Sequence, residues 1–235
     1  MKPVTFFRKA HKWATLVIGV QAVLWTLGGV YMTVIPLPVI HGKHLMSGVA
    51  PSEIDWSRVD IDPGLVVMAN PDAPLIRLTM FDGDPVYQVL GERHTLISAE
   101  TGGVVSPVSE DAIRRVARTD FSGDAEIVSV TLITDNVPLE IQNARPPLWR
   151  VDFAGWNEPS FFYSAETGQF VSRRHNLWRG FDIAWMFHIM DYEDRNDMDN
   201  WLLRVATAVG LFSALFGMGL LIYRLGFRNR AKVAP

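Results

Sequence analysis

The stretch WATLVIGVQAVLWTLGGVYMTVI, Trp13–Ile35, contains no charged residue, and the uncharged run continues to Ile40. A hydrocarbon layer ~30 Å thick asks for roughly 20 such residues in a helix. Pro36 and Pro38 stop the helix, because proline lacks an amide donor and crowds the preceding turn. A membrane helix is therefore predicted over residues 13–36. A second stretch, Trp201–Tyr223, carries one charge, Arg204, near its start, where a long side chain reaches the headgroups. Trp13, Trp201 and Tyr223 stand at the ends, as an aromatic belt requires. Two buried helices of a soluble core are the alternative, but uncharged runs of this length are rare there. The first run also exceeds the ~7–15 residues of a signal-peptide core and no A-x-A site follows, so it reads as an uncleaved anchor.

Charge orients the two spans. Residues 1–12 carry Lys2, Arg8, Lys9 and Lys12, and residues 224–235 carry Arg224, Arg228, Arg230 and Lys232, with no acid in either segment. All 25 acids lie between the spans, against 13 bases. The positive-inside rule then predicts both termini in the cytoplasm and residues 37–200 outside, which in a bacterial inner membrane is the periplasm. The chain of 235 residues is 49% hydrophobic and 20% charged, which excludes disorder. It has no cysteine, which excludes disulfides, thiol catalysis, cysteine zinc sites and self-ligated iron–sulfur clusters. A net charge of −3 argues against nucleic-acid binding.

The outer region contains a repeat. SAETG occurs at Ser98–Gly102 and again at Ser164–Gly168. Strand-like runs precede each copy (85–90 with 94–97, and 148–153 with 161–163), and short runs at 104–106 and 170–172 follow. This reads as a duplicated supersecondary unit. SAETG itself reads as turn chemistry, with glycine at a positive-φ position; a binding loop is the alternative. Before the second copy, Ser109 is placed to cap a helix whose face is Ala112, Ile113, Val116 and Ala117, and the run 127–133 alternates as a strand. Before the first copy only a short helix, near Ser52–Arg58, suggests itself.

The helix SEDAIRRVAR, then a strand, an aromatic strand, a turn with T-G and a further strand resembles the PepSY domain. The opening RKAHKWATLVIGVQAVLWTLGGVYM, with the triplet His11-Lys12-Trp13, is similar to PepSY-associated transmembrane proteins. The resemblance covers nearly the whole chain, with fewer spans than many such proteins have. It implies an α+β membrane protein: two transmembrane helices, 13–36 and 201–223, flank two tandem helix-plus-antiparallel-sheet units. These are a degenerate one over 37–106 and a second over 107–176, followed by an interfacial aromatic helix and acidic cap over 177–200. The family includes periplasmic modules proposed to restrain proteases, and haem-carrying inner-membrane reductases that handle iron and siderophores.

No nucleophile elbow, P-loop, dinucleotide fingerprint or H-E-x-x-H helix occurs. The candidate cofactor residues are His41, His44 and His188. His41 and His44 are three apart, a spacing that on a helix lets two imidazoles share a metal. His188 stands in LWRGFDIAWMFHIMDY, Leu177–Tyr192, where helical spacing aligns Phe181, Trp185, His188 and Tyr192 with Trp178 one turn earlier. Haem or a metal at the outer leaflet is one reading of this aromatic platform; an interfacial anchor with no cofactor is the other. His11 lies on the opposite side of the span and cannot share a haem with His188. DYEDRNDMD, 191–199, lacks the glycine and closing glutamate of a calcium loop, and reads instead as a cap, with Asn200, for the second span. Ala206, Gly210 and Ala214, and likewise Ser213 and Gly217, recur at spacing four, a small-residue face for packing the spans together or on a partner.

Two functions follow as expectations. One is an accessory or electron-transfer subunit of a membrane redox system, docking a membrane or periplasmic partner, with haem as the candidate cofactor. The other is a tethered binding module, a protease inhibitor or assembly factor, without one.

Overall fold

The computed structural model describes residues 3–48 and 52–231. Lys2 and Lys232, counted above for charge, lie outside the described residues. The chain divides into two units, one formed by its two ends and one by residues Leu37–Arg179.

The terminal unit is helical. Helix α1 (Pro3–Val34) pairs with the last helix of the chain, Trp201–Ala231. Both overrun the spans read from hydropathy, and the stretches Thr5–Val34 and Trp201–Leu225 are long and apolar enough to cross a membrane. The helix stop before Pro36 is where proline geometry puts it.

The central unit opens with a one-turn helix, α2 (Leu37–Ile40), and contains two antiparallel meanders. The first sheet is β1 (Leu75–Phe81), β2 (Asp84–Leu90) and β3 (His94–Ser98), preceded by helix α3 (Pro63–Ala69). The second is β4 (Ile127–Ile133), β5 (Leu148–Phe153), β6 (Ser160–Ser164) and β7 (Phe170–Arg174), preceded by α4 (Glu110–Asp120). Ser109 caps α4 by accepting from Ala112 N at 3.3 Å. The helix of the first repeat is not at Ser52–Arg58, where only a 3-10 turn, Trp56–Arg58, forms. It is α3, where Asp62 accepts from Gly64 N at 2.6 Å and Pro63 takes the first helical position, the place where a missing amide costs nothing.

The two SAETG segments are built alike, residue for residue. Both serines end a strand, at matching register against β2 and β5: Ser98 opposite Val86, Ser164 opposite Leu148. Both serine carbonyls accept from the motif glycine, at 2.9 and 2.8 Å, and both alanine amides bond the carbonyl of a proline, Pro85 or Pro147, at 2.9 Å. Gly102 and Gly168 have φ of 72° and 65°, the left-handed region where a side chain is strained. After the turn the copies diverge. The second continues into β7, whereas the first makes only an isolated bridge, Ile97 to Val104, so the run 104–106 is not a strand.

The repeats do not fold as separate bodies. Val86 and Leu96 from the first sheet share one core with Val151, Phe161 and Tyr163 from the second and with Ile113 and Ala117 of α4. Strand β2 is buried on both faces, since Tyr87 and Val89 turn the other way into a smaller core beside Val66 of α3.

Candidate functional site

Helix α5 (Asn176–Ile189) starts in the central unit and ends in the helical one. Its first turn is held by a buried histidine. His175 is fully buried, and its Nδ1 accepts from Asn157 Nδ2 at 3.1 Å and from Trp178 N at 3.4 Å. The Asn157 side-chain oxygen accepts from Leu177 N at 3.1 Å and its carbonyl from Asn176 N at 2.8 Å. The orphan amides of the helix start are thus satisfied by two side chains. Both groups meeting Nδ1 are N–H donors, which assigns the ring proton to Nε2. Its Nε2 lies near the Ile40 and Val39 carbonyls, but among the described residues no acceptor completes a hydrogen bond to it. Burial lowers the His175 pKa, and the neighbouring His44 and Arg179 lower it further, against the Ile40 and Val39 carbonyls.

His44 stands edge-on to His175, ring centres 5.9 Å apart at 72°. His41 contributes its carbonyl, which accepts from Arg173 Nε at 2.7 Å. The two histidines do not share a helical face. Gly42 between them is left-handed, with φ of 63°, and a 3-10 turn, Lys43–Leu45, follows. The partner of His44 is therefore a residue 131 positions away that spacing could not indicate. Among the described residues no group of three or more His, Cys, Asp or Glu side chains that could hold a metal is found.

His188 lies in the helical unit. Phe181, Trp185 and His188 form a stacked row, with centroids 6.4 and 6.1 Å apart and planes within 8° and 14°. Trp25 Nε1 donates to the His188 carbonyl at 2.8 Å. Two members of the expected platform are elsewhere. Met190, with φ of 55°, breaks the helix, so Tyr192 leaves the row and meets Phe187 instead, at 6.0 Å. Trp178 belongs to the central unit and lies under the Arg174 guanidinium at 3.9 Å.

The small-residue face is one stripe, not two. Ala206 and Ser213 are buried, Gly210 lies against Ile18, and Gly217 against the His11 ring. Ala214 is exposed, because the buried positions keep spacings of 4, 3 and 4, which follow the 3.5-residue seam of packed helices, and a strict four does not. Polar groups punctuate the stripe. His11 Nδ1 donates to the Ser213 carbonyl at 2.8 Å, Thr15 and Ser213 hydroxyls meet at 2.8 Å, and Gln21 Nε2 donates to the Phe187 carbonyl at 2.6 Å.

In the 191–199 segment the Asp191 carboxylate accepts from the backbone amides of Asp197, Asn196, Glu193 and Asp194, which hold its pKa low. Asn200 caps the last helix, accepting from Leu203 N at 2.8 Å, while Asp199 pairs with Arg204 and Arg195 with Asp182. These bonds turn the segment on itself as a cap.

A cleft of about 890 Å³ lies between α4 and the β1–β2 turn. Its arginines are engaged: Arg114 with Glu110, Arg115 with both oxygens of Asp82, and Arg118 with the Gly123 and Ala125 carbonyls. Asp120, also on the wall, has its pKa raised by burial, opposed by the Tyr163 hydroxyl at 3.1 Å. Comparison with protein-family models, with curated proteins and with solved structures gave no match.

Proposed function

We propose that the chain is a two-span membrane accessory subunit whose two-repeat unit binds a partner protein, with both termini cytoplasmic and the repeats on the opposite side. The observation that carries this reading is α3. The helix buries Val66 but presents Leu65 at 61%, Val67 at 53% and Met68 at 78% exposure, and Trp56 just before it is 71% exposed. Apolar side chains in such density on one short surface element mark an interaction site more often than a solvated face. The charge asymmetry of the two ends supports the orientation, and the resemblance of the repeats to PepSY modules supports a binding role. A photo-crosslinker at Met68, in native membranes, is expected to give a discrete adduct that the Leu65→Asp variant abolishes. A crosslinker at Val128, exposed on β4, is expected to give none. Equal adducts from both positions would refute docking through α3.

A second reading has its own observation. His188 is exposed and stacked on Trp185, with its backbone held by Trp25, so its imidazole is oriented and open to one axial bond. Haem-mediated electron transfer, with the other ligand from a partner, is then expected to give a Soret band in purified membranes that His188→Ala removes. A spectrum without that band is incompatible with this second reading.

A further inference from the structure

The two apolar runs are out of step where their helices meet. Along the seam Ile18 faces Gly210, Thr15 faces Ser213, His11 faces Gly217 and Phe7 faces Gly219. Each step up α1 is a step down the terminal helix, so Trp201 comes level with about Thr26. The ends of α5 agree: its last carbonyls, at Phe187 and His188, are bonded by Gln21 and Trp25, and Asn200 Nδ2 donates to the Ile189 carbonyl at 2.9 Å. The connection 190–200 therefore sits beside the middle of the apolar run of α1. Five acids occupy that connection against the single base Arg195, and Glu193, Asp194, Asp197 and Asp199 are exposed. Carboxylates open to the surroundings belong in water, not at mid-bilayer.

Resting on the membrane reading above, we infer that the hydrocarbon layer covers α1 from about Thr5 to Trp25 and the terminal helix from Trp201 to Tyr223, roughly nine residues short of where hydropathy centres it on α1. The length fits, since ~20 residues at ~1.5 Å each span ~30 Å. Trp25 and Trp201 then mark one boundary and Tyr223 the other, as interfacial aromatics do. The layer also covers Phe6, Met218, Leu221 and Ile222, which are exposed and which a layer over 13–36 would leave in water. Arg8, Lys9 and Lys12 fall within its inner third. Helical side chains lean toward the N-terminus, which here is the near surface, so these cations reach the headgroups. The outer part of α1, with Gly28 against Ala184 and the Tyr31 hydroxyl against Gly180, is a two-helix stalk with α5 leading out of the bilayer. His11, Thr15 and Ser213 become an intramembrane polar cluster.

The chain contains no cysteine, so single cysteines can be introduced without background. Spin labels at Leu16→Cys, Val23→Cys, Leu27→Cys and Val34→Cys, and at Val205→Cys, Phe212→Cys and Ile222→Cys, all exposed positions, would be compared for oxygen and nickel-chelate accessibility in phosphatidylcholine–phosphatidylglycerol vesicles. The deepest positions are expected at Leu16 and Phe212, with Val34 open to the chelate. Maxima shifted to Val23 and Val205 would overturn the placement and leave the membrane reading intact. Chelate access at every position would overturn the membrane reading itself.

Discussion

The two units bury opposite kinds of residue. In the two-sheet unit the fully buried side chains include large aromatic ones, among them Tyr87, Phe161, Phe162 and Tyr163, and charges lie outside. In the helical unit the contact between helices is made by Gly210, Ser213, Gly217 and Gln21, while Leu16, Val17 and Val20 point outward at 66, 71 and 73% exposure. In water, burying large apolar surface drives folding, at about 25 cal/mol per Å². In lipid, where the proposed reading puts these helices, an outward leucine loses nothing, and close backbone approach and internal hydrogen bonds would hold the helices together. The same chain thus follows two packing rules, the contrast expected if the helical unit lies in the membrane as proposed.

Six substitutions press on that contrast and on the fold behind it. The largest effect is expected at Phe161, packed tilted or edge-on against Phe121, Phe153 and Phe170. Phe161→Ala should cost about 3–5 kcal/mol in denaturant unfolding of the two-sheet unit, by lost transfer energy plus a cavity. Leu16→Ala, on the outward side of α1, should cost on the order of 0.5 kcal/mol or less; equal losses would break the contrast.

Next come the repeat turns. A Cβ at Gly168 would overlap the Phe81 ring, whereas one at Gly102 would lie 3.3 Å from Ile61 Cδ1. Both Gly→Ala changes incur the left-handed penalty of about 1 kcal/mol. Only Gly168→Ala adds a clash, so its midpoint should fall further, measured side by side with Gly102→Ala. Ser109→Ala should then cost about 1 kcal/mol through loss of the α4 cap, seen as a lower melting temperature.

The smallest effect near neutrality is at His175. Its folded pKa lies below the unfolded value, chiefly through burial. The neutral ring caps α5, so its contribution is complete above about pH 6.5 and declines as pH falls toward the folded value, because the unfolded chain takes up the proton first. His175→Asn keeps an acceptor at the cap without a titrating group. It should flatten the stability profile below about pH 6.5 and change little above it.

Much of this architecture could be read from local pattern. Ser109 with its apolar face specified α4, alternation specified β4, and the repeated SAETG marked two turns whose bonds match. What escaped reading had weak or distant signals. Helix α3 is only seven residues of mixed aliphatics, and its signature, Asp62-Pro63, is easily passed over beside Ser52–Arg58. The cap of α5 needs Asn157 and His175, 18 residues apart, and Tyr192 left the aromatic row because one residue, Met190, turned left-handed.

Apolar run length, the distribution of charge and the repeat are properties of neighbouring residues, so the sequence by itself determined two membrane-competent helices, an acidic region between them and a duplicated turn. Which residues of the two helices stand level is a different kind of fact. It is set where the His11 ring meets Gly217 and Thr15 meets Ser213, contacts across some 200 residues of chain, and only the tertiary structure decided it. The same holds for His44 beside His175 and for the shared core of the two sheets, since a side chain's partner is chosen by packing and not by its neighbours in sequence.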